Sequence, residues 1–179
     1  MFISKRSLQA ILLFFSCTFV HKAIAATGEN CALPPDLQSE LGTSYPGSTI
    51  VKLENLSEYD RQLFHKDHDG RCPGLVKIDF FGDGTPTWAI VLMRGGSAKP
   101  TVELVVAHKT HRTWKLTSID KSEGPAAVVW KERAGSYRDI HGKKEIRATR
   151  PVIVFCQYEA WTILYSWTGA KVAKVWIRD

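Results

Sequence analysis

From Leu75 to the C-terminus the chain is cut into short runs rich in Val, Ile, Trp and Tyr, each bounded by Gly, Pro, Asp or Ser. Eight of these runs read as strands: 75–81, 86–94, 101–108, 112–119, 126–132, 150–157, 160–167 and 171–178. Several connections are only a few residues long, whereas a parallel crossover needs a dozen or more. Antiparallel hairpins are therefore expected. The fold class is α+β: a largely antiparallel, strongly twisted or barrel-like sheet of about eight strands with one short N-terminal amphipathic helix.

That helix is placed at residues 57–66. Ser57 can cap it, Asp60 follows three residues on, and Leu56, Tyr59, Leu63 and Phe64 share a face. Asp67-His68-Asp69-Gly70 ends it. Residues 26–55 read as an irregular arm broken by Pro34, Pro35 and Pro46, although 35–41 could form two helical turns stopped by Gly42. Residues 56–179 are expected to form a single sheet-rich domain.

The first 25 residues have the texture of an export signal: basic Lys5 and Arg6, an apolar run from Ala10 to Val20, then Ala23-Ile24-Ala25 with small residues where a signal peptidase reads. The apolar run is well short of the roughly 20 residues that span a bilayer. Cleavage near Ala25 would leave a periplasmic or secreted product that does not span the membrane. This matters for charge, because the formal +6 includes Lys5, Arg6 and Lys22; without them 21 basic residues face 18 acidic ones, a balance of +3. Export also changes the four cysteines, since Cys17 leaves with the signal and an oxidising compartment permits disulfides. Cys31 and Cys72 lie in proline-flanked loops, and Cys156 ends the apolar run Val152-Ile153-Val154-Phe155. The preferred bridge is Cys31 to Cys72, with Cys72 to Cys156 as the alternative. A zinc cluster would need more closely spaced ligands than these.

Asp79-Phe80-Phe81-Gly82-Asp83-Gly84-Thr85-Pro86-Thr87 joins two of the strands. Over about eleven residues it resembles the FG-GAP type of loop, whose alternating oxygens coordinate calcium and whose repeated blades build propellers in surface proteins. The resemblance implies that Asp79 and Asp83 occupy acidic positions and that Gly82 and Gly84 occupy the turn glycines. Phe81 stands where a second oxygen ligand belongs, and Thr87 replaces the last carboxylate. Two carboxylates remain where calcium takes six to eight oxygens. A glycine hairpin turn is the simpler reading, and calcium is the one cofactor the loop suggests. The order of signal, helix, Cys-Pro-Gly, Asp-Gly loop and hairpins is similar to that of small exported bacterial proteins, a likeness that carries no activity with it.

Other groupings are weaker. His65 and His68, and likewise His108 and His111, are spaced by three, but loop positions favour solvent-facing imidazoles over a metal site. Of the six tryptophans, Trp161 and Trp167 share a face with Ile163 and Tyr165, as a core would, while Trp88 and Trp114 lie near loops and stay open as partner contacts together with His108 and His111. The basic stretch from Arg138 to Arg150 reads as a solvated linker, so a nucleic-acid partner is not favoured. No Gly-x-Ser-x-Gly elbow, phosphate-binding glycine loop or His-Glu-x-x-His is present, and no catalytic residue is assigned. The functional expectation is a non-enzymatic binding or inhibitory protein of the cell envelope with a protein partner. A calcium-stabilised or carbohydrate-contacting surface module is the alternative, and a hydrolase with unrecognised carboxylates the third.

Overall fold

The computed structural model describes residues 31–95, 100–142 and 144–178, so the stretch read as an export signal, with Cys17, and residues 26–30 lie outside it. Helix α1 (Pro35–Ser44) opens with Pro at its first position and Asp36 in its first turn, both suited to a helix start. Helix α2 (Glu58–His68) follows Ser57, whose hydroxyl accepts from the Asp60 N–H at 3.1 Å, the cap expected from the sequence. The N-terminal arm is thus less irregular than its prolines suggest. It carries α1 past Gly42 to Ser44 and a short strand β1 (Thr49–Ile50), so the described residues hold two α-helices where one was expected.

The other strands are β2 (Leu75–Ile78), β3 (Thr87–Arg94), β4 (Thr101–Thr110), β5 (Thr113–Glu123), β6 (Val128–Glu132), β7 (Gly135–Arg138), β8 (Glu145–Ala148), β9 (Val152–Gln157), β10 (Trp161–Trp167) and β11 (Val172–Arg178). All eight anticipated strands appear, and every pairing is antiparallel. They do not form one barrel. A first sheet holds β1 and β2 end to end along one edge of β3, followed by β4 and β5, and a second runs β11-β10-β9-β6. β7 and β8 form a separate hairpin. Gly74 sits at the junction of β1 and β2, where a Cβ would fall 2.4 Å from the Val51 carbonyl oxygen, so no larger residue fits.

Strand alternation sends the two faces of the first sheet in different directions. Ala89, Val91, Val102, Leu104 and Val106 meet Ile153, Phe155, Ile163 and Tyr165 of the second sheet in the main core, with Leu56 and Phe64. Ile90, Leu92, Val105 and Ala107 point the other way and are covered by Leu37 and Leu41 of α1. Tyr59, expected on the buried face of α2, is 51% exposed. The outer face of the second sheet is buried too: Val152, Val154, Leu164 and Val175 lie beneath Ile146 and Ala148 of the hairpin. The stretch read as a solvated linker is therefore a lid over a third cluster.

The two sheets are joined unequally at their edges. At β2 and β6 the Val129 N–H donates to the Pro73 carbonyl at 2.7 Å and Lys131 donates to the Lys77 carbonyl at 3.3 Å. At β5 and β11 the link is one carboxylate. Asp120 Oδ2 accepts from Tyr165 Oη and from Lys174 Nζ, the latter at 2.5 Å. Burial pushes the Asp120 carboxyl upward, but those two donors, with the Lys121 backbone N–H and the Lys174 charge, together hold the group below its ordinary value. Burial, then the Asp120 hydrogen bond, pushes the Tyr165 phenol far up.

Cys31 and Cys72 form the disulfide, with Cα atoms 5.1 Å apart, tying the start of the described chain to the loop before β2. Cys156 is a buried free thiol that accepts from Thr162 Oγ1 at 3.3 Å, and burial raises its pKa. Among the described residues no helix is long and apolar enough to cross a membrane.

Candidate functional site

The open seam between β5 and β11 ends in a cleft of about 490 Å³. Phe80, Val106, Ile119 and Val172 form its apolar interior, Phe81 and Trp167 its walls, and Asp83, His108, Lys115 and Thr117 its mouth. The volume lies within the ~300–1,000 Å³ typical of small-ligand sites.

The Asp-Gly loop builds this cleft. Asp79 Oδ1 accepts from the Gly82 N–H at 2.8 Å and Asp83 Oδ1 from the Thr85 N–H at 2.9 Å, so both carboxylates shape the loop. Gly82 has φ +68° and lies against Arg150, whose guanidinium donates to the Phe81 carbonyl. A Cβ at Gly82 would fall 2.2 Å from Arg150 Nε. The clamp aims Phe81 across the gap between the sheets. Its ring meets His108 of the first sheet at 4.6 Å and Trp167 of the second at 5.1 Å, both edge-on.

His108 is held from both sides. Its Nε2 lies 3.1 Å from Asp83 Oδ2 and its Nδ1 3.3 Å from Thr87 Oγ1, while β4 pairs it directly with Thr87 and Lys115. Because a carboxylate only accepts, Nε2 donates to Asp83 and the Thr87 hydroxyl donates to Nδ1. Thr87 is fully buried and the His108 side chain is 14% exposed. The two positions at which the loop departs from the FG-GAP pattern, Phe81 and Thr87, are thus the ones that wall the cleft and pin its imidazole.

The remaining candidates are scattered. His111 is exposed in the β4–β5 turn with φ +59° and is not part of the cleft lining. Trp88 and Trp114 lie on the opposite face of the first sheet, half-buried in the cluster beneath α1, with the Lys77 ammonium 5.6 Å from one ring and that of Lys109 5.1 Å from the other. Lys109 also pairs with Asp36 of α1 at 2.5 Å, and this contact, with Trp114 beside it, lowers the Asp36 pKa. His68 packs between Phe64 and Trp130 at 5.2 and 4.8 Å, half-buried where a solvent-facing imidazole was expected. Desolvation lowers its pKa. Among the described residues, no group of three or more His, Cys, Asp or Glu side chains is placed to hold a metal ion.

Sequence reasoning missed Trp167 as a cleft wall and Arg150 as a loop clamp. Trp167 carried a signal, since it ends a strand at a loop. Arg150 carried none, because its partner carbonyl is 69 positions away. Comparison with known protein families, curated proteins and solved structures finds no match to this chain.

Proposed function

We propose that this chain is an exported, non-catalytic binding protein of the cell envelope whose cleft receives a large apolar side chain from a protein partner. The cleft between the sheets carries the reading: a preformed apolar recess, open at one mouth, with few polar groups around it. Two details favour binding over catalysis. Thr87, whose hydroxyl meets His108 Nδ1, is fully buried, so the Asp83–His108–Thr87 row presents no hydroxyl to a substrate. Asp83 is engaged by His108, while Lys115 has no ion pair among the described residues. A partner loop with acidic residues flanking its apolar anchor would suit that mouth.

The test blocks the mouth without touching the core. Thr117 and Ser118 are adjacent and exposed on opposite faces of β5. The mature domain, immobilised, should retain one stoichiometric protein from an envelope extract; Thr117→Arg should abolish retention and Ser118→Arg should leave it intact. Equal retention by both variants, or none by the unmodified domain, would overturn the reading.

A further inference from the structure

The two ends of α2 are held by different means. At its start Ser57 caps the helix, and Arg61 donates to the Leu53 carbonyl at 3.2 Å and to the Leu56 carbonyl at 3.4 Å. Toward its end Phe64 is the one buried side chain, and one turn further on the last turn rests on the ring of His68. That ring lies 5.2 Å from Phe64 and 4.8 Å from Trp130 of β6, tilted 35° to the indole. Trp130 is itself set by its indole N–H, which donates to Glu132 at 3.1 Å. The slot is therefore formed between a helix and a sheet, and an imidazole fills it.

The slot suits the neutral imidazole. His68 Nδ1 is buried and has no hydrogen-bond partner among the described residues. In the neutral ring that atom can be a bare lone pair with the proton on Nε2, whereas the imidazolium puts an N–H donor there with nothing to accept it. Burial opposes the charged ring most, Arg71 of the following loop adds to that, and Asp67 of α2 and Glu132 of β6 offset part of it, leaving the pKa lowered. His65, on the same helix, turns outward to Asp69 at 3.3 Å. Beyond the helix end, Gly70 stands at φ +70° with nothing within 4 Å of where a Cβ would lie, and Cys72 is fixed to Cys31. The last turn can swing about Gly70 without moving the disulfide.

We propose that the last turn of α2 is an acid-released catch, in which protonation of His68 drives its ring out from between Phe64 and Trp130, frees the turn and uncovers both aromatic rings. No residue of α2 lines the cleft, so the device stands whether or not a protein occupies that site. Its sign is definite. Above the ordinary imidazole value of about 6.5 the ring is neutral, docked or released, and the catch is closed; below it the released form takes up a proton that the docked form resists, so docking weakens as pH falls toward the docked value. Amide hydrogen exchange of the mature domain at about pH 7 and about pH 5, with intrinsic exchange rates divided out, tests it. Protection of the amides of residues 65–68 should fall roughly threefold or more at the lower pH while that of β9 and β10 holds. His68→Phe and His68→Gln, which cannot take up the proton, should show no fall, and His65→Gln should fall as the unmodified domain does. The proposal is overturned if the unmodified domain keeps its protection at the lower pH, if β9 and β10 lose theirs equally, or if a His68 variant shows the same fall.

Discussion

Asp120 reaches the inner face of β5 only because Ile119 is an extra residue in that strand. Thr117 opposes Val106 and Ser118 opposes Val105, yet Asp120, not Ile119, opposes Leu104. Such a bulge flips the alternation that follows it. Replacing Asp120 by Asn should cost about 2 kcal/mol at neutral pH, because a half-buried acceptor loses its charge toward Lys174. The pH dependence has a definite sign. A carboxyl held below its unfolded value of about 3.9 stabilises fully above that value, and the contribution disappears as pH falls through the folded value. Asp120→Asn should therefore narrow the stability gap between about pH 7 and about pH 3 in urea unfolding. The narrowing is partial, because Asp36 and Asp139 are also lowered. An unchanged acid limb would show that the link does not act. At this scale local signals were legible, as Ser57 and its bond to Asp60 illustrate, while Arg150 on Gly82 required the fold.

The β7–β8 hairpin is the element that charge concealed. Arg138, Lys144, Arg147 and Arg150 dominated the reading of that stretch, yet Glu145-Ile146-Arg147-Ala148 alternates as a strand should, with Ile146 and Ala148 buried. The Ile140 N–H donates to the Trp176 carbonyl at 3.0 Å and the Trp176 N–H donates to Asp139 at 3.2 Å, fastening the hairpin to β11. Ile146→Ala should cost about 2 kcal/mol, the low end for a core truncation, and Arg147→Ala on the exposed side less than about 0.5 kcal/mol. Denaturant midpoints compare them, and equal small effects would return the stretch to linker status. The edge strand β5 protects itself. It has eleven residues and among the described residues pairs only with β4, but Lys115, Lys121, the bulge and the inward Asp120 all oppose pairing with another chain.

At the scale of the molecule, the strand rhythm located every strand of the two stacked sheets except the two-residue β1, but not their division. Alternation says which residues share a face and is silent on which sheet that face meets. The same limit hid the cleft, whose walls come from a loop, two strands of one sheet and two of the other. The Cys31–Cys72 bridge spans 41 positions and anchors the arm that carries α1. On the loop-entropy account its removal costs about 4 kcal/mol. A Cys31→Ser, Cys72→Ser double variant should show that loss in urea unfolding. A difference below about 1 kcal/mol would mean that α1 packs without the tether.

The unequal seams give the two sheets a spine and a latch. β2 and β6 are stitched through main-chain and lysine contacts, whereas β5 and β11 are held by one carboxylate that sits between the cleft and a smaller recess beside Trp161 and Trp176. Letting go of Asp120 would free both compartments at once, as two rooms sharing a single door lose their separation when it swings. An occupant that pulled the edges apart at one end would loosen the grip at the other, and one that drew them together would tighten it.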